Sequence, residues 1–120
     1  LILLNVVVPV AVPVAVEIPV GAAVTPEATL RRYKEQAEEM IGALVETLQP
    51  TGLDVQGIVI EGDPAEAIVA AAEREEADLI VIATHGRTGW RRLVFGSVAE
   101  KVIRHATCPV LTIHEPRVKS

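Results

Sequence analysis

Gly86 and, nine residues further on, Gly96-Ser97 form the pattern in this sequence whose residue types and spacing could do chemistry. An apolar run, Leu79–Ala83, leads into the polar loop that carries Gly86, and helical periodicity begins at Ser97. That is the layout of an anion site. The first N–H groups of a helix lack intrahelical partners and sit at the positive end of the helix dipole, so a phosphate there is held by geometry and field together. Gly96 would let the backbone approach a phosphate with no Cβ in the way, and Ser97 offers an N-cap oxygen and a hydroxyl. The same residues admit a plainer reading. Ser97-Val-Ala-Glu100 is a capping box of the kind that starts ordinary helices, and glycines in a strand-to-helix loop serve as turn punctuation. The spacing is neither G-x-G-x-x-G nor G-x-x-x-x-G-K-[ST].

The elements that must position this loop follow from periodicity. Leu1–Val8 is a continuous apolar run of strand length, consistent with full burial. Residues 9–26 hold Pro9, Pro13, Pro19, Gly21 and Pro26 and form an irregular connection. From Glu27, the residues Leu30, Tyr33, Ala37, Met40, Ile41, Leu44, Val45 and Leu48 mark one face of a helix of about six turns. Its charged face, with Arg31, Arg32, Lys34, Glu35, Glu38 and Glu39, is solvated. Pro50-Thr-Gly52 stops that helix and Leu53–Ile60 reads as a strand.

Asp63 and Pro64 open a second helix, with Asp63 as N-cap, a buried stripe of Ala65, Ile68, Val69 and Ala72, and an end by Glu76. Asp78–Ala83 is a buried strand, Ser97–His105 a short helix and Pro109–Ile113 a final strand. The order β-α-β-α-β-α-β implies a three-layer α/β fold: an open parallel sheet with helices on both faces, in a single domain over 1–120. Sheets of this kind bind ligands outside the carboxyl ends of their strands, and the loop after Ala83 lies at such an end.

Composition excludes several classes. Half of the 120 residues are apolar but only Tyr33, Trp90 and Phe95 are aromatic, so the core is built from Val, Ile, Leu and Ala, which suits strands buried in a parallel sheet. A net charge of −5 and the lack of aromatic platforms argue against nucleic-acid binding. The lone Cys108 excludes an intramolecular disulfide and reads as a small buried hydrophobe; the three histidines form no cluster at metal-ligand spacing. Residues 1–16 are apolar but broken by Pro9 and Pro13 and preceded by no basic segment, the pattern of neither a membrane span nor a signal peptide; a cytoplasmic protein is expected. His85 has no nucleophile or carboxylate beside it in its segment and reads as a capping or bracing residue. Arg87, Arg91 and Arg92 read as solvated loop residues that could also screen phosphate charge, and Trp90 and Phe95 as anchors packing the loop.

Ala83-Thr-His-Gly86, then Gly96-Ser97-Val98 after nine residues, then Cys108-Pro-Val-Leu-Thr-Ile113 is similar to the C-terminal signature of the universal stress protein family. Nucleotide-binding members of that family are described by G-x-x-G-x9-G-[ST], and Gly62-Asp-Pro64 before a helix also resembles them. The resemblance, which covers nearly the whole chain, implies a Rossmann-like fold of the adenine-nucleotide α-hydrolase type. It implies ATP or another adenine nucleotide, with or without magnesium, as a regulatory ligand rather than a substrate. The phosphates would lie on the Gly86 loop and on the amides of Gly96, Ser97 and Val98; Ile82 and Ala83 would border the ribose, and Val6 would touch the base. It implies a homodimer too, through the apolar edge strand Pro109–Ile113.

There are two departures. Ala83 stands where the family's pattern has its first glycine, and the family's first strand, Asp-bearing loop and following helix have no counterpart here. Without the Asp loop a nucleotide loses a hydrogen bond to a charged group, about 1.5–3 kcal/mol, so weak binding is expected. In the family that strand lies between the counterparts of Leu1–Val8 and Asp78–Ala83, and its loss would leave a slot of ~10 Å. The expectation is therefore a sequence cropped from a longer chain, with filling by a second copy or closure of the slot as the alternatives. Two other functions stay open: a member that does not bind nucleotide and serves as a dimerising interaction module, and a hydrolase using His85.

Overall fold

The computed structural model describes residues 1–9, 25–84 and 96–114, which fall into two compact units, Leu1–Asp63 and Pro64–Ser120. Along the chain the strands and α-helices alternate in the expected order, and both strand pairs are parallel, so the fold is α/β.

The first unit comprises β1 (Ile2–Val7), α1 (Pro26–Leu48), a 3-10 turn (Gln49–Thr51) and β2 (Gln56–Glu61). Strands β1 and β2 pair in parallel, from Ile2 opposite Gln56 to Val7 opposite Glu61. Helix α1 starts where the sequence supplies a cap: Thr25 is extended, its hydroxyl accepts from the Ala28 N–H at 3.1 Å, and Pro26 takes the first helical position. Gly52, at φ 84°, turns the chain after the 3-10 segment. The helix packs on the two strands through Ala37 and Ile41, both buried. Gly57 of β2 makes this approach possible, because a Cβ there would collide with Cγ2 of Ile41.

Only part of the expected apolar face of α1 is covered. Leu30, Val45 and Leu48 are half-buried, while Tyr33, Met40 and Leu44 are exposed. Two strands about 5 Å apart are too narrow a platform for a whole apolar stripe, so the seam runs along one side of it. The strand expected over Leu53–Ile60 starts later, at Gln56, where the ladder with β1 begins with the Gln56 N–H donating to the Leu1 carbonyl at 2.9 Å. Val55 is nonetheless buried. The expected full burial of Leu1–Val8 does not hold either: Val7 is buried, Leu3–Val6 are half-buried, and Leu1, Ile2 and Val8 are exposed.

The second unit comprises α2 (Pro64–Arg74), β3 (Ile80–Ala83), α3 (Ser97–His105) and β4 (Val110–Ile113). Strands β3 and β4 pair in parallel from Ile80 opposite Val110 to Ala83 opposite Ile113. Ala65 of α2, Ile80 of β3 and Val102 of α3 form the core, with Val102 wholly inaccessible; Ile68, Ala72, Ile82, Val98, Ala106, Cys108 and Val110 pack around it. Cys108 is thus a partly buried apolar contact.

The strand expected to be buried throughout is one-sided. Ile80 and Ile82 turn toward the core, while Val81, Ala83, Leu111 and Ile113 form an exposed apolar row. Helix α2 ends two residues earlier than the latest expected position, at Arg74, in a reversal that uses Glu76 at φ 50°. The Ala77 N–H donates to the Ala72 carbonyl at 2.9 Å and the Glu76 N–H to the Glu73 carbonyl at 3.2 Å, the bond pair of a Schellman motif. Among the described residues no helix is long and apolar enough to cross a membrane.

Candidate functional site

The carboxyl ends of β3 and β4 and the first turn of α3 meet at Thr84. The Thr84 N–H donates to the Ile113 carbonyl at 3.1 Å, prolonging the strand ladder by one bond, and the Thr84 carbonyl accepts from the Gly96 N–H at 3.2 Å. Helix α3 therefore begins at the carboxyl end of a parallel strand pair, the place where α/β proteins receive ligands.

Gly96, not Ser97, is the N-cap of α3. Its backbone is non-helical (φ −51°, ψ 144°) while its carbonyl already accepts from the Glu100 N–H at 3.0 Å. Ser97 consequently takes the first helical position, one place later than an N-cap, and Glu100 moves one place beyond the position a capping box requires. The Glu100 carboxylate pairs instead with Arg104 at 3.1 Å, one turn along the helix. The capping-box reading is thereby corrected, and the cause is the Thr84–Gly96 bond, which holds Gly96 in the capping place.

The consequence bears on anion binding. Helix α3 has no side-chain cap bond, so the N–H groups of Ser97, Val98 and Ala99 have no partner within the helix, and they gather at its positive end. Ser97 is exposed at the first position of this turn; Val98 packs against the core, so its backbone is what it can offer a ligand. The structure adds a demand for glycine at position 96 that the sequence did not show: a Cβ there would stand 3.1 Å from the Thr84 carbonyl oxygen.

Of the other residues singled out in the sequence, Ala83 is the exposed last residue of β3. Ile82 turns its side chain to the core, so its backbone is what it can offer a ligand. Ile82, Ala83, Gly96, Ser97 and Val98 therefore belong to one unit and lie on the two elements that Thr84 joins. Val6 lies in the first unit, half-buried in β1 opposite Ile60. Gly86, His85, Arg87, Arg91, Arg92, Trp90 and Phe95 lie outside the described residues.

Two residues were not singled out by sequence. Thr84, 8% exposed, has its hydroxyl 3.4 Å from the Ile113 carbonyl oxygen and 3.4 Å from Nδ1 of His114. His114, directly after β4, is exposed at the same carboxyl end. The signal available for Thr84 was its place inside Ala83-Thr-His-Gly86, but nothing local marks a threonine there as buried. No group of His, Cys, Asp or Glu among the described residues could hold a metal ion.

Comparison with known proteins sets this geometry in a family. The model of the Universal stress protein family matches residues 1–114. Universal stress protein MJ0531 of Methanocaldococcus jannaschii is 42% identical over 84 residues, which are 70% of this chain and 49% of that protein. The chain thus spans about half the length of that relative, and the same holds for MJ0577 of the same organism, 35% identical over 82 residues. The solved structure of MJ0577 superposes with a TM-score of 0.71 at 30% identity, covering 77% of this chain and 64% of that one. A universal stress protein from Arabidopsis thaliana with AMP bound shares the fold, with a TM-score of 0.61 at 22% identity over 96% of this chain and 64% of its own.

Proposed function

Because the chain belongs to the universal stress protein family, we propose that it binds an adenine nucleotide, ATP in the first instance, as a regulatory ligand and acts as a cytoplasmic homodimer in a stress response. The observation that carries the proposal is the first turn of α3, which has no side-chain cap and whose Ser97, Val98 and Ala99 N–H groups have no partner within the helix, at the carboxyl end of β3 and β4. Family membership supports a nucleotide phosphate as the anion. Ile82 and Ala83, which precede this turn in the chain, would take the ribose-bordering role that the resemblance implies. Catalysis is no part of the proposal: the nucleotide acts by being bound, with magnesium accompanying its phosphates.

The proposed dimer would use β4. Alternation along the strand sends the Pro109 and Ile113 carbonyls to β3, so the N–H and C=O groups of Val110 and Thr112 point to the opposite edge. Among the described residues no strand pairs with that edge, and self-pairing across a two-fold axis would satisfy it.

A thermal-shift titration with ATP and magnesium tests the nucleotide. The melting temperature should rise, since a ligand at about 100 times its Kd adds about 2.7 kcal/mol to stability. No shift at millimolar ATP, with no nucleotide carried through purification, would reject the proposal in favour of a second reading, a dimerising interaction module. The observation favouring that second reading is Ala83, which puts a methyl group where the family's pattern has glycine.

A further inference from the structure

We infer that Thr84 is a positioning residue for the phosphate site: its buried hydroxyl holds the end of β3 to the end of β4, and its carbonyl thereby sets where the first turn of α3 presents its amides. The inference rests on the nucleotide reading above and names a residue which that reading leaves without a role.

Among the described residues Thr84 is the one buried polar side chain. Burying a hydroxyl without a partner is costly, and valine would fill the same space without that cost, so a hydroxyl here needs partners that use it. Two are present. The hydroxyl lies 3.4 Å from the Ile113 carbonyl oxygen and 3.4 Å from Nδ1 of His114. One hydrogen serves one acceptor at a time: when the hydroxyl donates to Ile113, its oxygen is left to accept from a His114 ring protonated at Nδ1. Both bonds are long, so each is weak singly, but both join the same residue of β3's end to β4 beside the ladder bond from the Thr84 N–H.

The other side of Thr84 is its carbonyl. It accepts from the Gly96 N–H at 3.2 Å, and Gly96 lies so close that a Cβ would stand 3.1 Å from the same oxygen. Two peptide groups in contact transmit position directly, with no flexible side chain between them to absorb a shift. The amides of Ser97, Val98 and Ala99 follow Gly96 in the chain, so their placement depends on Thr84's carbonyl, which in turn depends on its hydroxyl. Positioning of this kind gains affinity by preparing the donors before the ligand arrives.

The test compares T84V, which keeps the shape and removes the hydroxyl, with T84S, which keeps the hydroxyl, in the whole chain. Hydrogen exchange of the Gly96 amide, measured by NMR, reads the positioning without any nucleotide; the Ala106 amide, bonded to the Val102 carbonyl at 2.8 Å, is the internal reference at the far end of α3. In T84V the Gly96 amide should exchange about three- to tenfold faster and ATP should bind about three- to tenfold more weakly, with Ala106 unchanged and T84S close to wild type on both counts. Should T84V not fold, T84A takes its place against T84S. An unchanged Gly96 exchange rate in the hydroxyl-free variant, or faster exchange with wild-type ATP affinity, overturns the inference and leaves the nucleotide reading standing. A wild-type chain that binds no ATP overturns both.

Discussion

Gly96 shows how a residue visible in the sequence can have its reason elsewhere. Its φ of −51° is open to any amino acid, so backbone freedom does not call for glycine; the space beside the Thr84 carbonyl does. For G96A the added methyl, 3.1 Å from that oxygen, forces either the carbonyl or the first turn of α3 to give way by a few tenths of an ångström. Isothermal titration should find ATP binding weakened about three- to tenfold, by displacement of the Ser97, Val98 and Ala99 amides. Stability should fall by only about 1 kcal/mol in urea melts, because Val102, the residue that anchors α3, is untouched. An affinity equal to the wild type's would show that these amides are not what holds the phosphates. Ser97 was readable as a helix start, but its role changed by one position once Gly96 took the cap, and one position is enough to undo a capping box.

Among the elements, α2 departs most plainly from what its residues favour. Its reversal places Glu76 in the left-handed region at φ 50°, a position that glycine commonly fills, and puts a carboxylate near the negative end of the helix. The left-handed conformation costs a residue with a Cβ about 1–2 kcal/mol, while glycine's added freedom in the unfolded chain returns about 0.5–1 kcal/mol of that. The first effect wins, so E76G should stabilise the protein by about 0.5–1 kcal/mol, seen as a higher urea midpoint with an unchanged slope. E76A, which removes the charge and keeps the Cβ, should recover less; equal gains from both would assign the effect to charge instead of backbone. The sequence indicated that this helix ends near its acidic run, but no residue type there signals a left-handed turn. The exposed side of α1 and the uncovered row of β3 and β4 were hidden for a similar reason: periodicity tells which residues share a face, not how wide the partner of that face is.

For the molecule as a whole, the proposed property is association through β4. If dimerisation uses the outer edge of β4, T112P should abolish it, because proline removes an N–H that points away from β3 and leaves the β3–β4 ladder intact. Sedimentation velocity should show the wild-type chain as a dimer and T112P as a monomer with an unchanged circular dichroism spectrum. A dimeric T112P would place the contact on another surface, with the apolar row Val81, Ala83, Leu111 and Ile113 the next to mutate. The net charge of −5 gives both protomers the same sign, so raising the salt concentration should not dissociate the dimer.

The order of strands and helices, the α/β class, the span Ser97–His105 and the membership of a family were all legible in the residues, because periodicity, proline and glycine punctuation and motif spacing are local properties of a chain. What tertiary structure decided depends on residues that the sequence keeps apart. Thr84 is buried where its backbone bonds to Ile113 and to Gly96, Gly96 caps α3 because the Thr84 carbonyl holds its N–H, and Gly57 must be a glycine because Ile41 comes down upon it. A hydroxyl, an N–H and a missing Cβ acquire their meaning from the atoms opposite them, and which atoms stand opposite is settled by packing.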